Sequence, residues 1–181
     1  SPMRSSMMNT AQQSWVAPMT EPKTRFVKRD EATLANELTE AQKLAAQLEP
    51  KINALHEMLK VGESSRSKEQ SLRWQAGYDL AMGRVLAVKV RTEAYNAMLA
   101  QAKRGLKFKN AKNNTWQLTP VDGVSGVGSQ LENAGKKARE YLGRVVENHP
   151  GTPWALLAQR ELSEPIGWKW TEAFTNLAPP P

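Results

Sequence analysis

The chain has 181 residues, 40% of them hydrophobic and 24% charged, which suits one domain large enough to bury a real core. It has no cysteine, and this excludes disulfides, thiolate metal sites and cysteine catalysis without identifying a compartment. A net charge of +7 directs attention to acidic partners: nucleic acid, an anionic envelope polymer or an acidic protein.

Residues 1–29 mix Met, Ser, Pro and Thr without periodicity and read as a flexible N-terminal arm. The chain begins Ser1-Pro2, which reads as the start of a fragment or processed form, and no secretory signal is visible within it. Asp30 and Glu31 supply an N-cap and a first-turn charge for a helix. From there Leu34, Leu38, Ala41, Ala45, Leu48, Ile52, Leu55 and Leu59 alternate steps of four and three, a heptad seam for lengthwise helix packing. Pro50 lacks the N–H that would bond Ala46, so a kink or short break is expected there, and Gly62 is the expected stop.

Ser67 and Gln70 can form a capping box for a second helix that ends near Arg104, ahead of Gly105. Its first stripe is Trp74, Tyr78, Ala81, Val85, Val88, Thr92, Tyr95, Leu99 and Ala102. Beside it runs a stripe of mostly small residues: Ala76, Leu80, Gly83, Ala87, Val90, Ala94 and Ala97. Two adjacent apolar stripes imply a helix covered on two sides, and the small one permits close approach. Residues 30–105 therefore read as a long antiparallel hairpin, with this second helix as the spine. Leu80 to Val90, the most apolar stretch, is broken by Arg84 and Lys89 and falls short of the roughly 20 residues a membrane span needs.

Residues 106–128 change character. Leu106 and Phe108, then Trp116 and Leu118, alternate with polar residues around an Asn-rich turn, which predicts a small β-hairpin or irregular loop. Ser129 and Glu132 can cap a third helix whose apolar face is Leu131, Ala134, Ala138, Leu142 and Val145. Pro150 ends it, Thr152 caps a fourth, and Pro153 suits that helix's first position. The fourth helix should end near Ser163. Residues 164–181 then hold Trp168, Trp170 and a Pro-rich tail expected to be disordered.

The chemical motifs fail on inspection. His56-Glu57 resembles the start of a zinc-protease HExxH motif, but Lys60 stands where the second histidine is required. His149 lies in the last turn of a helix, where capping suits it better than catalysis. The Gly123–Gly128 run lacks both the Walker spacing and the G-x-S-x-G nucleophile elbow. No catalytic, cofactor-binding or metal residue is assigned, and the chain reads as non-enzymatic. Two groups are candidates for partner binding. Trp168 and Trp170 either clamp the C-terminus over the helical pair or anchor a partner. Lys103, Arg104, Lys107, Lys109 and Lys112, with Phe108 and Trp116 nearby, combine phosphate-seeking charge with rings for base stacking. A solvated helix end explains the same cations through the helix dipole.

The small-residue, large-residue, proline order of 138–154 matches the second half of a tetratricopeptide-type repeat. Together with Trp74–Arg84, His149–Ala158 and Gly167–Trp170, it resembles the C-terminal helical region of large bacterial proteins that carry a von Willebrand factor A domain upstream. The resemblance covers roughly residues 30–172. It implies an accessory module beside an adhesive domain and favours the envelope or extracytoplasmic side. It transfers no catalytic residue, and without a D-x-S-x-S motif it transfers no metal site.

The expected fold is all-α: a long antiparallel hairpin (30–105), a loop or β-hairpin (106–128) and a shorter tetratricopeptide-like helix pair (129–163). A lone repeat-like unit is short of the three or so that a free-standing array needs. The hairpin, or a second copy of the chain, must complete its core. The expected function is a scaffold or protein–protein interaction module without a membrane span, the alternative being a basic nucleic-acid-binding domain.

Overall fold

The computed structural model describes residues 1–14 and 21–178, apart from the side chain of Ser14. Its element order is α1 (Pro2–Ser14), β1 (Arg25–Val27), α2 (Glu31–Lys60), α3 (Glu63–Arg66), α4 (Leu72–Lys103), β2 (Thr115–Val121), α5 (Ser129–Asn148), α6 (Pro153–Ser163) and β3 (Gly167–Ala173). The architecture is mostly helical with a small antiparallel sheet, so the all-α expectation is corrected.

Helix α4 is the spine. Its buried residues include Tyr78, Asp79, Leu80, Leu86, Val90, Ala94 and Leu99, which lie around most of its circumference. Helix α2 packs along one side, α5 and α6 along another, and the sheet covers its C-terminal half. The small-residue stripe sets the distance to α5. A Cβ placed on Gly83 would stand 2.6 Å from Leu142 Cγ and 3.2 Å from the Leu142 backbone nitrogen. Only a residue without a side chain permits that approach.

Asp30 caps α2 by accepting from Thr33 N at 2.7 Å, and these bonds hold its carboxyl below the usual range. The helix continues through Pro50 without the expected break, with Ala45 and Ile52 buried on either side. A single missing backbone bond costs less than the burial that both halves gain against α4. Thr152 caps α6 by accepting from Ala155 N, with Pro153 at the first helical position as expected. The expected Ser67 box is not formed. Residues 63–66 make a short helical turn, and α4 begins at Leu72.

A buried carboxylate ties the turn of the hairpin to its neighbours. Asp79 on α4 is fully covered and accepts from Arg66 Nε at 3.0 Å and Nη2 at 2.7 Å. Arg144 of α5 approaches the same carboxylate at 3.5 Å and lies over the Tyr141 ring. Tyr141 in turn donates to Glu63, and burial pushes the Tyr141 and Tyr78 hydroxyls far above the ordinary tyrosine range.

The N-terminal residues correct a further expectation. Instead of a structureless arm, residues 2–14 form α1, and 25–27 form a strand. Met3 is fully buried with Leu59, Tyr78 and Met82. It sits so close to Gly62 that an added Cβ there would lie 2.8 Å from Met3 Cα. Arg4 grips the almost completely covered Glu69 through bonds of 2.9 and 2.6 Å, and lies over Trp74. Residues 15–20 of the expected arm and 179–181 of the expected tail lie outside the described residues.

The sheet order is β1-β2-β3, both pairings antiparallel. The predicted hairpin between Leu106–Phe108 and Trp116–Leu118 is therefore replaced. β2 is the centre of a sheet whose other strands come from residues 25–27 and 167–173. Phe26, Trp116, Leu118, Trp168 and Trp170 all contribute to the apolar contacts over α2 and α4. Pro120 pairs with Trp168 of β3, and its missing N–H falls on the opposite edge, where β1 pairs only with residues 115–117.

Gly83→Val should destabilise the fold by at least about 2 kcal/mol, because overpacking drives α4 and α5 apart, and thermal unfolding checks it. Bonds from Arg4 and from Ser71 N, together with the positive charge of Arg4, lower Glu69 from 4.5 to about 2. A carboxyl lowered in the folded state contributes stability that is present above pH 4.5 and is lost as pH falls toward about 2. An acid titration should loosen α1 in that window, and Glu69→Gln should flatten the response of amide exchange in α1.

Candidate functional site

The basic cluster marked in the sequence surrounds the C-terminal end of α4. Arg104 caps the helix with its backbone N–H on the Ala100, Gln101 and Ala102 carbonyls, and Gly105 turns the chain away at a φ of +111°. The following residues fold back beside α2 and enclose a groove of about 510 Å³. Leu34 and Leu38 of α2, with Ala102 of α4, form its floor; Leu106 and Phe108 are half-buried along its wall. Lys28, Lys103, Arg104 and Lys107 stand around this apolar interior.

The cations differ in their commitments. Lys28 is paired with Glu31, and Lys103 Nζ donates to the neutral amide oxygen of Gln42 at 3.1 Å. Among the described residues, Lys103, Arg104 and Lys107 have no carboxylate partner, and all three side chains are exposed. Positive charge therefore accumulates beside an apolar surface without internal compensation.

The loop after the groove is held by a residue that the sequence did not single out. Glu172 of β3 accepts from Lys109 N at 2.6 Å, Asn110 N at 3.2 Å and Asn113 Nδ2 at 3.1 Å. Those bonds, the Lys109 N–H first, keep its carboxyl below the ordinary range. Glu172 binds the backbone of Lys109, and the charge of that residue adds to the lowering. Lys109 and Lys112 are exposed but do not line the groove, so three of the five cluster residues converge there. Lys28 and Glu172 were missed because they belong to β1's flank and to β3, which are distant in sequence and carry no local pattern.

The aromatic residues are occupied. Phe108 lies parallel to Trp116 with centroids 4.4 Å apart and planes 12° from parallel, and Trp116 also meets Trp170 edge-on. Trp168 and Trp170, expected either to clamp the chain or to anchor a partner, point toward α4. Trp168 Nε1 donates to Arg91 O and Trp170 Nε1 to Met98 O, both at 3.1 Å. Residues two apart cannot share a helical face, but they share one face of a strand, and the segment is a strand.

The remaining sequence features have structural roles. His149 is the C-cap residue of α5, its N–H donating to Val145 O. Burial lowers the His56 pKa, and its ring lies 3.8 Å from Glu57. The Gly-rich loop tucks Val124 into the core, and Gly123 lies so close to Gly167 that a Cβ on the latter would overlap its carbonyl at 1.8 Å. Among the described residues, no three His, Asp or Glu side chains gather to hold a metal ion, and no helix is long and apolar enough to cross a membrane.

Comparisons with protein-family models, curated proteins and solved structures found no match to this chain.

Trp170→Ala should cost about 2–3 kcal/mol, below the range of a wholly buried tryptophan because the ring is only half-covered. Chemical denaturation checks this; a partner-facing ring would leave the midpoint unchanged.

Proposed function

We propose that this chain is a non-enzymatic helical scaffold that engages a protein partner, an accessory module of a larger bacterial protein. The reading rests on one observation above the others: the groove at the end of α4 combines uncompensated Lys103, Arg104 and Lys107 with an apolar interior. Charge around an apolar centre suits a protein interface, in which a polar rim surrounds buried apolar contact. The frame behind it favours recognition over motion, since α2, α4 and the sheet meet in one continuous set of buried residues.

The α5–α6 pair supports a tetratricopeptide-like interpretation through its Thr152 cap, Pro153 start and the packing of Leu142, Val145 and Ala158. Association with a von Willebrand factor A domain, and an envelope-side location, remain part of the proposal through the sequence resemblance alone.

Nucleic-acid binding is the second reading, favoured by the net charge of +7 and the exposed Lys107, Lys109 and Lys112. Against it, Trp116 is buried and one face of Phe108 is stacked on it, so the cluster lacks the successive open rings on which a strand's bases stack.

Cross-linking mass spectrometry in nuclease-treated native lysate tests the proposal. Protein cross-links should map to residues 103–112 and to α2, and should disappear in the Lys103→Glu/Arg104→Glu/Lys107→Glu variant. Nucleic acid retained from untreated lysate and released by nuclease, with no protein cross-links after the treatment, would replace the proposal with the second reading.

A further inference from the structure

We infer that the groove takes an acidic segment of a partner protein, one that places an aliphatic side chain between its carboxylates. This rests on the interaction-module reading above and specifies its ligand chemistry.

The groove has two chemically distinct parts. The inner part is apolar: Leu34, Leu38 and Ala102 close the bottom as buried core residues, and Leu106 and Phe108 leave part of their side chains open to the groove. The outer part is cationic, and its charges stand on separate elements. Lys28 follows β1, Lys103 and Arg104 end α4, and Lys107 lies on the return segment. A ligand that satisfied only the outer part would leave the open faces of Leu106 and Phe108 wet. One that satisfied only the inner part would leave the cations without counter-charge. An acidic segment carrying a leucine-like residue meets both demands, with carboxylates to the rim and the aliphatic group inward.

A nucleic-acid strand meets only one. Its phosphates can reach Arg104 and Lys107, but it has no aliphatic group for Leu106, and Phe108, with one face stacked on buried Trp116, is a single half-buried ring and not a platform for successive bases. An anionic polymer without apolar groups fails in the same way. Pairing within the protein points in the same direction. Among the described residues, Glu31 is the one carboxylate lining the groove, and it sits at the Lys28 side, leaving Lys103, Arg104 and Lys107 for carboxylates brought from outside.

The groove is also prepared before a ligand arrives. Gly105 adopts a backbone conformation suited to glycine, and Glu172 fixes the backbone of the return loop from the far strand. Little ordering of this segment is left for binding to supply.

Fluorescence anisotropy with the intact chain tests the inference using three probes: a short peptide that interleaves glutamate with leucine, the same peptide with serine for leucine, and oligo-dT. The leucine peptide should bind most tightly and weaken as salt rises, because the rim charges are exposed. Arg104→Glu/Lys107→Glu should reduce its affinity by at least about tenfold while circular dichroism and the melting temperature stay unchanged. Arg104→Ala/Lys107→Ala should fall between the two and guards against a folding defect. Equal binding of the leucine and serine peptides would overturn the apolar part of the inference. Oligo-dT binding more tightly than either peptide, or affinity unaffected by both double variants, would overturn it entirely. Lysate cross-links at another surface, combined with that failure, would retain the interaction module while removing this groove as its site.

Discussion

The close approach of α4 to its neighbours is the constraint on which the rest of the structure depends. A long helix with apolar residues on most of its faces is stable in water only when each face is covered. Gly83 makes the α5 side possible by admitting Leu142 to van der Waals range, while Ala87 and Ala94 keep the same stripe narrow. On the other side, α2 presents its heptad seam, and Leu34, Leu38, Ala41 and Ala45 join Tyr95, Leu99 and Ala102 in one apolar group. The sheet then closes the C-terminal half, with two indole N–H groups anchored on α4 carbonyls. These contacts reinforce one another, since loss of the α4–α5 approach would also displace the Asp79–Arg144 contact.

Polar residues specify what apolar burial leaves open. Asp79 joins two arginines from different elements, and Glu69 receives Arg4 from α1. Glu172 gathers three donors from the basic return loop. Each carboxylate thereby fixes a segment that has little apolar surface of its own. For α1 and the return loop, local sequence would support many conformations, and a carboxylate elsewhere selects one. Glu172 takes two backbone N–H groups and the Asn113 side-chain amide, while Lys109 and Lys112 are exposed. A basic surface of defined shape follows from that division.

The groove arises where the hairpin and the sheet meet. α2 provides its floor, the end of α4 provides two cations, and the chain leaving Gly105 provides the far wall. None of these elements alone would pair positive charge with a recessed apolar surface. This explains why Lys103, Arg104 and Lys107 gain meaning from the fold, while Lys109 and Lys112, equally basic in sequence, remain on the outside of the loop.

The chain's own periodicity determined the helices. Steps of four and three in α2 and α4, the Asp30 and Thr152 caps and the Gly105 stop all act within a few residues, so their effects are legible locally. The spine role of α4 was legible too, because two adjacent stripes require two covers. Tertiary structure decided the sheet. β1 has three residues and no period that can be read, and its partners lie about ninety positions away in β2. Trp168 and Trp170 likewise became intelligible only once their segment paired with β2 and turned both rings toward α4. α1 carries no sustained apolar stripe, and its place follows from the pocket for Met3 and the carboxylate of Glu69. Local signals specify elements through short-range backbone and side-chain energetics; pairing across the chain depends on which surfaces the folded elements leave uncovered.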